Sequence, residues 1–76
     1  MEIKKEHYNK KGSRWTLVNV EKVAFKNFDE ANKYYYNVVS DNIFKNRTEY
    51  NYSIYGRVSK KSYYSPSGKE KTTYIF

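Results

Sequence analysis

The chain has 76 residues, 15 Lys or Arg against 8 Asp or Glu, and no Cys. That length holds one small domain, residues 1–76, with a modest core. The missing Cys excludes disulfides and thiolate metal sites, and no apolar run reaches the ~18 to 20 residues of a membrane span.

The formal charge of +7 is uneven. Residues 1–14 hold five basic side chains against two acidic, residues 15–44 three against four, and residues 45–76 seven against two. Two basic ends around a near-neutral middle attract polyanions: nucleic acid, a nucleoprotein complex, or an acidic protein face. Lys, Asn, Tyr, Ile and Phe supply 38 of the 76 residues. All five have AT-rich codons, so arrangement counts for more here than abundance. The opening MEIKKEHYNKK has no apolar h-region, which leads us to expect a cytoplasmic protein of a host cell, with no membrane partner.

Residues 2–8 alternate loosely, as a strand does. NKKG at 9–12 signals a turn, and RWTLVNV at 14–20 is rich in β-branched and aromatic residues. The two strands form a hairpin around Lys10, Lys11 and Gly12. Residues 28–43 carry a helical period. Asn27 and Glu30 have the spacing of a capping box, and Asp29 and Glu30 suit the positive end of the helix dipole. Phe28, Ala31, Tyr35, Val38, Val39 and Ile43 share one apolar side, and the helix should end near Phe44. Within YYY at 34–36, consecutive residues point about 100° apart. Tyr35 therefore faces inward, with Tyr34 and Tyr36 flanking it.

From residue 48 the period becomes two. Tyr50, Tyr52, Ile54 and Val58 fall on one face of a strand over 48–58, with Gly56 as a bulge. SPSG at 65–68 is a turn, and TTYIF at 72–76 returns as the last strand. The fold class is α+β: two β-hairpins with one helix between them (ββαββ), the helix packed on an antiparallel sheet. An exposed edge strand would permit a homodimer by sheet extension.

One His, no Cys, no metal-ligand spacing and no phosphate-cradling glycine loop argue against an enzyme, a metal or a cofactor. Arg57, Lys60 and Tyr74 are the residues to suspect if the chain is a small ribonuclease toxin. The stronger signal is RVSKKSYYSPSGKEK at 57–71. It brings Arg57, Lys60, Lys61, Lys69 and Lys71 together with Tyr63 and Tyr64, where cations neutralise phosphate and rings stack on bases. Lys10, Lys11 and Arg14 would join them if the two hairpins lie side by side. With few other apolar residues, some tyrosines must be structural. Tyr35, Tyr50 and Tyr52 are expected in the core, as is Trp15 beside Leu17, while Tyr55, Tyr63 and Tyr64 are expected at the surface.

The entry FKNFDEANKYY resembles the helix start of many small phage and mobile-element proteins, and that of integrase arm-type DNA-binding domains. The arm domains end on their helix, whereas further strands follow here. In size and composition the chain is similar to phage accessory proteins, including host-defence inhibitors of the anti-CRISPR kind. That resemblance implies a non-enzymatic protein that occupies and inhibits or modulates a nucleoprotein machine. A direct nucleic-acid-binding accessory or regulator is the alternative.

Overall fold

The computed structural model describes residues 2–40 and 48–76. Among them the order is β1 (Glu2–Lys11), β2 (Arg14–Ala24), α1 (Phe28–Ser40), β3 (Thr48–Tyr52), β4 (Val58–Tyr64) and β5 (Glu70–Ile75). All strand pairings are antiparallel, in the order β2-β1-β5-β4-β3. The architecture is thus ββαβββ, not ββαββ. The first and last strands lie side by side within the sheet and join the β1–β2 hairpin to the β3–β4–β5 meander.

The extra strand arises because the segment expected to run straight through 48–58 turns back on itself. Gly56 N–H donates to Ser53 O (3.0 Å), Ser53 N–H donates to Arg57 O (2.7 Å), and Gly56 sits at φ +76°. A residue with a Cβ resists that backbone conformation, so Gly56 serves a turn rather than a bulge. Ile54 and Tyr55 are left almost fully exposed at its tip. The SPSG turn forms as its residues require, with Gly68 N–H donating to Ser65 O (2.9 Å).

The helix begins as its cap predicts. Asn27 Oδ1 accepts from Glu30 N–H (3.0 Å), and Glu30 Oε2 reaches back to Lys26 N–H (3.3 Å), one residue beyond the usual capping-box partner. Ala31, Tyr35 and Val38 are buried, an i, i+4, i+7 stripe. Phe28 is 57% exposed: the buried stripe is rotated toward Ala31 and Val38, which leaves Phe28 at its margin. Tyr34 packs on Phe25 (5.3 Å between centroids) and Tyr36 is exposed. The expected helix end near Phe44, and Ile43 on its inner side, lie outside the described residues.

Two layers enclose the core. Tyr35 meets Phe76 edge-on at 4.8 Å, and Ile3, Val58 and Tyr63 are buried with it. Lys61 stands in this layer with none of its surface exposed. Its Nζ donates to the carbonyl oxygens of Val38 and Val39, the latter at 2.8 Å, and Tyr63 Oη donates to Val38 O at 2.7 Å. The last carbonyls of a helix have no intrahelical donor and carry its negative dipole end. A lysine and a tyrosine from the sheet supply both the hydrogen bonds and the opposite charge. Lys61 and Tyr63 are therefore structural, which corrects their placement on a binding surface.

The tyrosine assignments are corrected further. Tyr50 and Tyr52, expected in the core, are 38% and 63% exposed, whereas Tyr64 is only 8% exposed. Among the described residues β3 is an edge strand and β4 is flanked on both sides, so the residues of β4 take the buried positions. Tyr35 is buried and Tyr55 exposed, as expected.

Candidate polyanion-binding surface

β1 and β5 pair with Tyr8 opposite Lys71 and Asn9 opposite Glu70, and Lys10 N–H donates to Lys69 O (2.7 Å) across the seam. This register brings the two hairpin tips together at one end of the sheet. Lys10, Lys11 and Arg14 come from the first tip, and Lys69 and Lys71 from the second. Glu70 stands among them. Gly12, at φ +61°, lets the first tip close tightly between Lys11 and Arg14, which face each other.

Directly opposed residues share a face of a sheet. Lys10 opposes Trp15, and Lys71 opposes both Tyr8 and Tyr64, so these five occupy the face away from the helix. Lys71 Nζ lies 4.7 Å from the Trp15 ring, 4.8 Å from Tyr8 and 6.0 Å from Tyr64, and Lys10 Nζ lies 5.8 Å from Trp15. Trp15 and Tyr64 meet edge-on at 5.6 Å. Tyr64 Oη donates to Glu49 Oε2 (2.9 Å) and Tyr8 Oη to Glu6 Oε1 (3.0 Å). Burial first, and then the Glu6 carboxylate, push the Tyr8 phenol above its ordinary value, so it remains a donor. Between the tips lies an open cleft of about 300 Å³, lined by Lys10, Trp15, Tyr64 and the turn residues Ser65, Pro66, Ser67 and Gly68.

The ten residues picked from the sequence are thus divided, with Arg14 standing opposite Lys11 at the first tip. Lys10, Lys11, Lys69 and Lys71 converge at the tips. Tyr64 packs beneath them, buried rather than exposed. Lys60 is exposed on β4 opposite Ile75, further along the sheet. Arg57 sits in the β3–β4 turn at the far end, its guanidinium stacked 4.0 Å over the Tyr35 ring. Lys61 and Tyr63 belong to the core. Trp15 and Tyr8 were missing from the set. The signal for Trp15 was its position one residue past Arg14 at the first tip, but it counts only once β1 and β5 are known to be neighbours.

The ribonuclease suspects are split between the two faces. Tyr74 opposes Lys61 and faces the helix side, where Arg57 stacks on Tyr35, and Lys60 faces the other side. The lone histidine lies elsewhere: His7 Nδ1 is 3.2 Å from Thr72 Oγ1, and Nε2 is 3.3 Å from Glu21 Oε1 without forming a hydrogen bond to it. Among the described residues no three His, Asp or Glu side chains group closely enough to hold a metal ion, and no helix is long and apolar enough to cross a membrane. No family model, curated protein or solved structure matches the chain.

Proposed function

We propose that this chain is a non-catalytic binding protein whose ligand is single-stranded nucleic acid, engaged through the paired hairpin tips. In this role it occupies a nucleoprotein machine and inhibits or modulates it, as a host-defence inhibitor does. The observation that carries the reading is the meeting of Lys10 and Lys71, from two hairpins, on one half-buried indole, with Lys69 held beside Lys10 across the seam. Ammonium groups neutralise phosphates, and an indole face stacks on any base, so the pair suits a strand whose bases are exposed. Duplex DNA keeps its bases stacked and offers the indole no face.

The test is binding of short random-sequence RNA and DNA, read by quenching of Trp15, the single tryptophan. Four phosphate contacts to a single strand should weaken binding about 50-fold between ~50 and ~200 mM salt. Single strands should bind more tightly than duplex of equal length. No binding of any nucleic acid at the lower salt would sink the reading and leave an acidic protein face as the polyanion.

A further inference from the structure

β2 is an edge strand with a neighbour on one side only among the described residues. Eleven residues long, it carries Leu17, Val18 and Val20 near its middle at 47%, 53% and 40% exposure. Edge strands are normally kept apart by charge or by a bulge. β2 has a bulge: Tyr8 opposes Leu17 and His7 opposes Asn19, so Val18 is the extra residue.

That inserted residue changes which positions share a face. Arg14 opposes Lys11 and Glu21 opposes Lys5, and Lys11 and Lys5 are an even number apart on β1. Arg14 and Glu21 therefore lie on one face. By the same count Trp15 and Val20 share the other face, through Lys10 and Glu6, and Thr16 and Asn19 share the first, through Asn9 and His7. The outward N–H and C=O groups alternate in step with the side chains, so they follow the same pairing.

We propose that β2 pairs antiparallel with β2 of a second copy of this chain, about a two-fold axis between Leu17 and Val18. A two-fold perpendicular to a sheet requires opposed residues to share a face, which an unbroken strand cannot satisfy between positions of opposite parity. The bulge satisfies it for the three flanking pairs, whose faces the β1 register fixes. Leu17 then opposes Val18, Thr16 opposes Asn19, Trp15 opposes Val20, and Arg14 opposes Glu21, each pair occurring twice. The register is self-complementary in charge as well as in apolar contact. Shifting it so that Leu17 opposes Val20 also keeps the faces matched, but sets Thr16 against Glu21 and Arg14 against Val23, and so loses the ion pairs. The pairing covers the exposed apolar residues of β2, engages Arg14 and Trp15 at the strand edge, and leaves Lys10, Lys11, Lys69 and Lys71 outside the paired residues.

Sedimentation velocity across a wide concentration range tests this. The wild type should dimerise reversibly. Arg14→Glu and Glu21→Arg should each place like charges in opposition twice and weaken self-association roughly tenfold or more. Mixing the two variants should restore dimers, now mixed ones. The acid introduced at position 14 of one chain then meets the base introduced at position 21 of the other, and the original Arg14–Glu21 pair forms at the second site. Glu21 also lies beside His7, so Val18→Lys is a second variant that touches no folded contact of that kind. It should give a monomer whose thermal unfolding matches that of the wild type at concentrations where the wild type is itself monomeric. A wild type that stays monomeric to millimolar concentration overturns the proposal, as does a dimer indifferent to Val18→Lys or one whose charge variants fail to rescue each other.

Discussion

Lys61 and Lys71 come from neighbouring strands of one hairpin and play opposite parts. Lys61 faces the helix, is fully enclosed, and is committed to the carbonyls of Val38 and Val39. Lys71 faces away from it, half-buried among Tyr8, Trp15 and Tyr64, with its charge directed at rings that a ligand can share. Both faces use lysine beside tyrosine. What separates an enclosed lysine from an open one is whether the helix or solvent lies above it, and strand parity decides that.

The largest effect should come from the enclosed face. Tyr35→Ala removes the ring that joins Ala31, Val38 and Phe76, and should destabilise by about 3 to 5 kcal/mol, as large-to-small changes of buried aromatics do. In thermal unfolding that is about 4 to 8 °C per kcal/mol for a domain this small.

Lys61→Met and Lys71→Met break the comparison directly. The first should cost about 2 to 3 kcal/mol, since it withdraws a charged donor from buried carbonyls, while leaving oligonucleotide binding intact at temperatures where the protein is folded. The second should cost about 1 kcal/mol or less, from the missing cation–π attraction, and should weaken binding. The reverse outcome in paired melting and binding curves would exchange the roles of the two faces.

At the tips, Trp15→Ala should lower affinity by about 1 to 3 kcal/mol at every salt concentration, the worth of one stacked base. Lys69→Gln should instead flatten the salt dependence, reducing its logarithmic slope by about 0.7, because one phosphate is no longer neutralised. A Trp15 variant that changes only the slope would mean that the ring merely supports the lysines.

The smallest effect is on pH. Burial first raises the phenols of both Tyr8 and Tyr34, with Glu6 adding to the former and Tyr74 to the latter. A raised folded pKa means that the unfolded chain loses its proton earlier, so stability is full below the ordinary phenol value of about 10 and falls as pH rises past it. Tyr8→Phe should shallow that alkaline decline in denaturant titrations.

The helix cap, the first hairpin and the SPSG turn were legible because each is a local pattern. The β3–β4 turn was not. Tyr50, Tyr52, Ile54 and Val58 keep even numbering straight through it, so the alternation continues across a reversal of the chain. The exchange of Tyr50 and Tyr52 with Tyr63 and Tyr64 has a different cause. Their local patterns are alike, and only the strand order makes β3 an edge and β4 an interior strand. The tip cluster lies between these cases: its lysines were visible, but their meeting with Trp15 depends on pairing between the first strand and the last.

That β1–β5 seam also shapes how the chain folds. Each side of it, the hairpin and the meander, forms from contacts near in sequence, whereas Lys4 opposite Ile75 closes nearly the whole chain into a loop. The entropy of closing a loop that long is lost before any seam contact offsets it, so folding should be slow for so short a chain, with a rate sensitive to the seam and tolerant of changes at the tips. Until the seam closes, β1 and β5 are themselves edges. A denaturant pulse or a mutation that opens it would release two half-sheets at once, each with a fresh unpaired strand, and the route from there leads to swapped or aggregated chains rather than to a stable half.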